Sequence, residues 1–260
     1  MKYKTHSQSD RDNVIRLFEE GKNKCEISRI TGIHRATLRD WIFAYQKGIT
    51  KSAYQYDPQE YLNDFLQSEE KRKAYSFVLG LYLCDGYISH YKTHRAACIR
   101  MINDFKYPKN TSEWADNLQL LFPENKINIR KLKVNAVEVK TYSKKLPTLF
   151  PQIGKGAKHK RKLTFTNWQM DIIKQHPKEF IRACIQSDGS IYNARSKGRI
   201  YKRYNFTNAS EDIIDLFLYS LKEIGIEVRK YKHPTENKYL IQNFKKEYMQ
   251  ILESVIDKKE

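Results

Sequence analysis

Two short segments of this chain end alike. Val78–Gly86 closes in Asp85-Gly86, and Ile181–Gly189 closes in Asp188-Gly189, with the aspartates 188 − 85 = 103 residues apart. Each segment reads as an apolar helix that stops at an acid. An aspartate there opposes the helix dipole, at a cost of about 0.3–1 kcal/mol. The same unfavourable placement, made twice, points to a ligand rather than a cap. Two such helices set side by side would bring two carboxylates close together, where like charges repel and one pKa rises. A divalent cation removes that penalty, and magnesium prefers carboxylate and water oxygens. Cations so held activate water and neutralise phosphate charge, which is the chemistry of phosphodiester hydrolysis. Gly86 and Gly189 let the chain turn sharply and leave room for another backbone to approach.

The elements that must carry these ends also recur. After Gly86 come extended stretches Tyr87–Tyr91 and Arg95–Ile102, then a helix with Trp114, Leu118 and Leu121. A hairpin pairs Ile127 and Ile129 with Val137 and Val139, and a helix with Leu146 and Leu149 ends the series. After Gly189 the order returns: Ser190–Ala194, Arg199–Thr207, and a helix with Ile213, Phe217 and Leu221. A hairpin of Ile226–Tyr231 with Lys238–Asn243 and a helix with Met249, Leu252 and Ile256 complete it. Apolar spacing of 3.6 marks the helices and alternation marks the strands. The fold class is therefore α+β, built on a duplicated αββαββα unit. The copies span residues 74–152 and 177–258, with an inter-repeat linker at 153–176 that holds the basic run Lys155–Lys162.

The first 48 residues read as three short helices. Val14, Leu17 and Phe18 mark the first, and Gly21 ends it. Asn23 and Glu26 form a capping box for a second carrying Ile27 and Ile30. A turn at Gly32 leads to a third from Arg35, with Leu38, Trp41 and Ile42 buried. This spacing resembles a homeodomain-like helix-turn-helix. The resemblance implies a third helix in the major groove, offering His34, Arg35, Thr37 and Arg39 to bases and phosphates. Residues 49–73 read as a linker, with a short helix from Pro58 and a solvated connector at Ser68–Lys73.

Lys and Arg outnumber Asp and Glu by 48 to 30, a formal charge of +18. Such a surplus calls for an anionic partner, nucleic acid first. No apolar run reaches the roughly 20 residues that span a bilayer. The N-terminus lacks an apolar signal region, and the four cysteines form neither a zinc pattern nor a disulfide framework. These features predict an intracellular protein, cytoplasmic or nucleoid-associated, with no membrane partner.

Both Asp-Gly segments resemble the signature of the LAGLIDADG homing endonucleases in their single-chain, two-motif form, over about residues 74–258. The resemblance implies a monomer with pseudo-twofold symmetry and two antiparallel sheets facing double-stranded DNA. It implies motif helices packed through Gly80 and Ala183. It implies two or three Mg2+ ions shared by Asp85 and Asp188, with Gly86 and Gly189 at the metal site. Leu83 and Gln186 stand where the motif name has its first Asp, which is not the metal position.

Strand parity supplies the basic residues that would complete the site. With Ile99, Met101, Tyr204, Phe206, Val139 and Ile241 inward, Cys98, Arg100, Arg203, Asn205, Lys140 and Gln242 face outward. Arg100, Lys140, Arg203 and Gln242 are the candidates for polarising water or holding phosphate. His90, Lys92, His94, Arg195, Lys197, Arg199, Tyr201 and Lys202 are candidates for reading the groove. Lys131, Lys133, Lys230 and Lys232 are candidates for phosphate contacts. The expected activity is metal-dependent cleavage at a long, non-palindromic DNA site. A non-cleaving transcriptional regulator of the same fold and an intron RNA maturase remain alternatives. An intein is disfavoured, because Met1 is no splicing nucleophile and Lys259-Glu260 lacks the His-Asn ending.

Overall fold

Ser7 and Asn23 each accept backbone N–H groups at a helix start and have their own N–H groups accepted by Asp10 and Glu26. Asn23 Oδ1 lies 2.9 Å from the Cys25 N–H donor and 3.1 Å from that of Glu26. These caps open α1 (Gln8–Glu19) and α2 (Lys24–Thr31), and α3 (Arg35–Gln46) follows. Gly32 stops α2 at φ +67°, a conformation that favours glycine. The three helices close over Val14, Leu17, Ile27, Ile33, Leu38 and Ile42. Ile30, placed with Ile27 by the sequence, is instead 57% exposed.

The computed structural model describes residues 6–46, 48, 57–89, 96–196, 198–243 and 245–255. It divides into two units, Met1–Asp57 and Pro58–Glu260. The second unit opens earlier than the sequence suggested. α4 (Pro58–Gln67) buries Phe65 completely, with its ring centroid 5.5 Å from that of Tyr75 and 6.2 Å from that of Trp168. Ser68–Lys73 is no solvated connector. Ser68 caps α5 (Glu69–Cys84), its hydroxyl accepting from the Lys71 N–H at 3.3 Å. The charged run looked solvated because only the following turns of that helix are apolar. Phe65→Ala is expected to cost about 3–5 kcal/mol of unfolding free energy, read from urea denaturation. A near-neutral result would show α4 to be peripheral.

The first copy continues through β1 (Tyr87–Ser89), β2 (Ala97–Asp104), α6 (Pro108–Leu121), β3 (Asn128–Lys131), β4 (Ala136–Ser143) and α7 (Leu146–Leu149). The expected inter-repeat linker then contains a helix of its own, α8 (Asn167–Gln175), with Ile172 and Ile173 buried. Gln169 in α8 is fully buried, and its Nε2 donates to the Tyr75 hydroxyl of α5 at 2.6 Å. The Gln152 amide donates to Gln169 Oε1 at 2.8 Å. α9 (Pro177–Asp188), β5 (Gly189–Ser196), β6 (Arg199–Asn208), α10 (Glu211–Glu223), β7 (Lys230–Lys232), β8 (Tyr239–Asn243) and α11 (Lys246–Val255) complete the chain. α8 precedes α9 as α4 precedes α5. Each copy thus has a helix at its front that the sequence reading left in a linker, α4 foreseen as a helix and α8 not.

Both sheets are antiparallel and four-stranded, ordered β1-β2-β4-β3 and β5-β6-β8-β7. The matching order is the structural form of the duplication. Every strand pair lies within one copy, and helices α5, α6, α9 and α10 pack against the sheets. One core runs through both copies, from Phe65 to Val255. Among the described residues no helix is long and apolar enough to cross a membrane.

Candidate active site

The two motif helices meet where the sequence placed small residues. α5 and α9 make the most extensive helix–helix contact of the chain. A Cβ added to Gly80 would stand 2.8 Å from the Ala183 Cβ and 2.9 Å from the Phe180 carbonyl oxygen. Only a residue without a side chain fits at that crossing. Leu83 is buried in the core, and Gln186 turns to α6. Its Oε1 accepts from the Trp114 indole at 3.2 Å and its Nε2 donates to Glu113 at 2.8 Å. Both positions serve packing.

Beyond this crossing the helix ends open on one cavity of about 580 Å³. Asp85, Gly86, Asp188, Asn208, Lys158 and Arg161 are among its lining residues. Asp85 is the exposed C-cap of α5, and Asp188 is the half-buried last residue of α9. Gly86 and Gly189 are tightly enclosed. A Cβ would meet Tyr82 Cα at 2.5 Å in the first case and Ile185 Cα at 2.5 Å in the second. The Asn208 amide donates to Asp188 Oδ2 at 2.6 Å.

Lys158 enters from a single 3-10 turn (Lys158–Lys160) between α7 and α8. Its ammonium donates to the carbonyl oxygens of Tyr82, Cys84 (3.3 Å) and Gly86 (2.8 Å). Burial pulls its pKa down to about 8, against the pull of Asp188 and Asp85 in the other direction. Gly86, expected at the metal site, thus has its carbonyl engaged by a resident cation. Sequence reasoning saw a basic linker here, and nothing in that run distinguished residue 158 from its neighbours. Burial also pushes the nearby Cys84 thiol well up, reinforced by a hydrogen bond with Cys184.

The carboxylates suit a hard divalent cation by their chemistry. Among the described residues no group of three or more His, Cys, Asp and Glu accompanies them. A cation held by this pair would complete its shell with water and with oxygens of whatever lies in the cavity.

Strand register separates the flanking candidates. One residue beyond Gly86, Tyr87 stands opposite Arg100, then Lys140, then Asn128. One residue beyond Gly189, Ser190 stands opposite Asn205, then Gln242. The counterparts of Arg100 and Lys140 are thus Asn205 and Gln242. Arg203 pairs with Tyr192, as Cys98 pairs with Ser89, so it stands one pleat away from that row. The two halves differ in charge at matching positions. Arg100 lies over the Tyr87 ring at 5.0 Å. Lys140 pairs with Glu138 at 2.8 Å, and Arg130 reaches the same carboxylate at 3.2 Å. The Lys140 hydrogen bond holds the Glu138 carboxyl below its ordinary range despite burial. Cys98, placed outward by parity, is nonetheless buried.

Other groove candidates divide as well. Arg199 and Tyr201 are exposed and share the parity of Arg203 and Asn205. Lys202 does not. It shares the inward parity of Tyr204 and Phe206, and its ammonium pairs with Glu253 of α11 at 2.6 Å. Arg195 stands opposite Ile200 on that same face, though it too is exposed. Lys230 is engaged by Glu211 at 2.7 Å and Asp215 at 2.6 Å. His90, Lys92, His94 and Lys197 lie outside the described residues. In the first unit Arg35 and Arg39 are exposed and Thr37 is half-buried. Arg35 reaches the Cys25 sulfur at 3.6 Å, and Arg39 bonds Asp40 at 3.1 Å.

Residues 175–255 match the LAGLIDADG-like domain family. The match covers the second copy, from the end of α8 through α11. The first copy repeats the topology of this LAGLIDADG-like domain strand for strand. Solved structures of the same fold include mesophilic variants of the homing endonuclease I-DmoI, at 15% identity and TM-score 0.52, covering 72% of this chain and 97% of that one. I-DmoI in complex with DNA and Ca matches at 17% and 0.52, covering 72% and 91%. A variant of I-DmoI with its target DNA in the presence of Mg matches at 16% and 0.51, covering 72% and 98%. Identities this low speak for the fold. No curated protein matches the chain.

Proposed function

We propose that this chain is a site-specific double-stranded DNA endonuclease of the homing type, hydrolysing phosphodiesters with divalent metal. The single observation that carries the reading is the placement of Asp85 and Asp188 on one cavity, at the ends of two helices locked together at Gly80. A divalent cation shared by two carboxylates on one cavity would offset their mutual repulsion. Magnesium at this pair would supply the activated water and neutralise charge on the phosphate. Arg100 and Lys140 in one half and Asn205 and Gln242 in the other would hold the strands over the site. The +18 charge and the exposed Arg199 and Tyr201 suit a long anionic duplex. The I-DmoI structures solved with DNA and with Ca or Mg lend the same direction. The trihelical unit would add its own DNA contacts through α3, with Arg35, Thr37 and Arg39 toward the groove. That unit alone favours the second reading, a non-cleaving regulator.

The test is a cleavage-site selection on randomised duplex DNA in magnesium, with calcium as the control. The expected result is a recovered non-palindromic site cut on both strands in magnesium and only bound in calcium. Tight specific binding with no cleavage in any divalent metal would make the regulator the correct reading.

A further inference from the structure

We propose that Lys158 is a positioning residue of the Asp85/Asp188 site, clamping the end of α5 so that Asp85 is held in register with Asp188. The inference rests on the nuclease reading for its consequence, and on geometry for its substance. The last carbonyls of a helix lack intrahelical partners, and a cation at that end also offsets the helix dipole. Lys158 supplies both. Its ammonium has three N–H donors, and three carbonyls accept, those of Tyr82, Cys84 and Gly86. Two of these acceptors flank Asp85 directly, so the backbone is fixed on either side of the carboxylate. The stem lies with its ammonium 5.0 Å from the centre of the Tyr82 ring. With its donors engaged, this lysine has no N–H left for a DNA phosphate. The α9 end is held differently, by the Asn208 amide on the carboxylate itself. A segment outside both repeats therefore completes one half of a site that β6 completes in the other.

The experiment is hydrogen exchange on the free full-length protein, followed by cleavage kinetics. In Lys158→Met the amides of residues 85–87 are expected to exchange about tenfold faster, the effect of losing roughly one charged hydrogen bond. Residues 188–190 serve as the internal control and change little. On a target recovered by selection, turnover at saturating DNA falls by about the same factor or more, while DNA affinity in calcium is unchanged. Lys158→Arg restores most of both effects. Lys158→Gln, which keeps two N–H donors without the charge, falls between and guards against a folding defect in the methionine variant. Unchanged exchange at 85–87 overturns the proposal. So does a loss of DNA affinity in step with turnover, which would make Lys158 a phosphate contact. A wild-type protein that cuts nothing defeats the nuclease reading and leaves the exchange comparison to decide Lys158.

Discussion

Asp85→Asn and Asp188→Asn will each lower cleavage by at least about 10³-fold, or about 4 kcal/mol of barrier. The amide keeps the shape of the side chain and removes the charge. With one carboxylate gone, repulsion no longer favours a divalent cation, and the remaining acid holds it as a lone surface carboxylate would. Binding of the target in calcium should survive, because most contacts with a duplex go to phosphates along the sheets rather than to this pair. Single-turnover cleavage in magnesium and target binding in calcium, measured side by side, check both expectations. An Asp85→Asn protein that still cuts at the wild-type rate would remove the carboxylate pair from the mechanism.

Gly80→Leu will lower both stability and cleavage, because it forces the two motif helices apart. Even the first added carbon would stand 2.8 Å from the Ala183 Cβ, against a helix that has no slack. Alanine at position 80 gains about 1 kcal/mol of helix propensity, which offsets part of its clash. Leucine adds a branched chain at the same crossing, and overpacking of this kind costs about 1–3 kcal/mol or more. The helices can relieve it only by separating, which carries Asp85 away from Asp188. Urea denaturation should report the lost stability, with Gly80→Ala milder than Gly80→Leu. Cleavage should fall further than stability alone accounts for. Equal stability of Gly80→Leu and wild type would show that the crossing is looser than its geometry.

The duplication and the order of elements along the chain were legible in the sequence, because each leaves a local mark, and the family resemblance supplied the glycine at the crossing. Alternation exposes a strand, as at Val137 and Val139, and an Asp-Gly pair exposes a helix end. What was not legible depended on contacts remote in the chain. α8 is short and amphipathic, and only its burial against Tyr75 of α5 distinguishes it from linker. Lys158 is one of several basic residues in a row, and its role arises from carbonyls more than 70 residues away. Lys202 was open to correction from the start. Its parity with Tyr204 and Phe206 already turned it inward, and only its place near the hairpin end of the strand argued otherwise. The equivalence of Arg100 and Asn205 required the register, which alternation alone leaves free to slide by two.

The confinement of every strand pair to one copy has a consequence for how the chain folds. Every strand pair is local to its copy, whereas the α5–α9 crossing joins segments a full repeat apart and carries the larger loop-closure cost. It amounts to the docking of two subunits that happen to be tethered, with the segment from α7 to α8 fixing their effective concentration. Lys158 sits in that tether and locks onto α5 only once its carbonyl collar is in place. The carboxylate pair exists only where both copies have docked, so half-folded chains cannot present it.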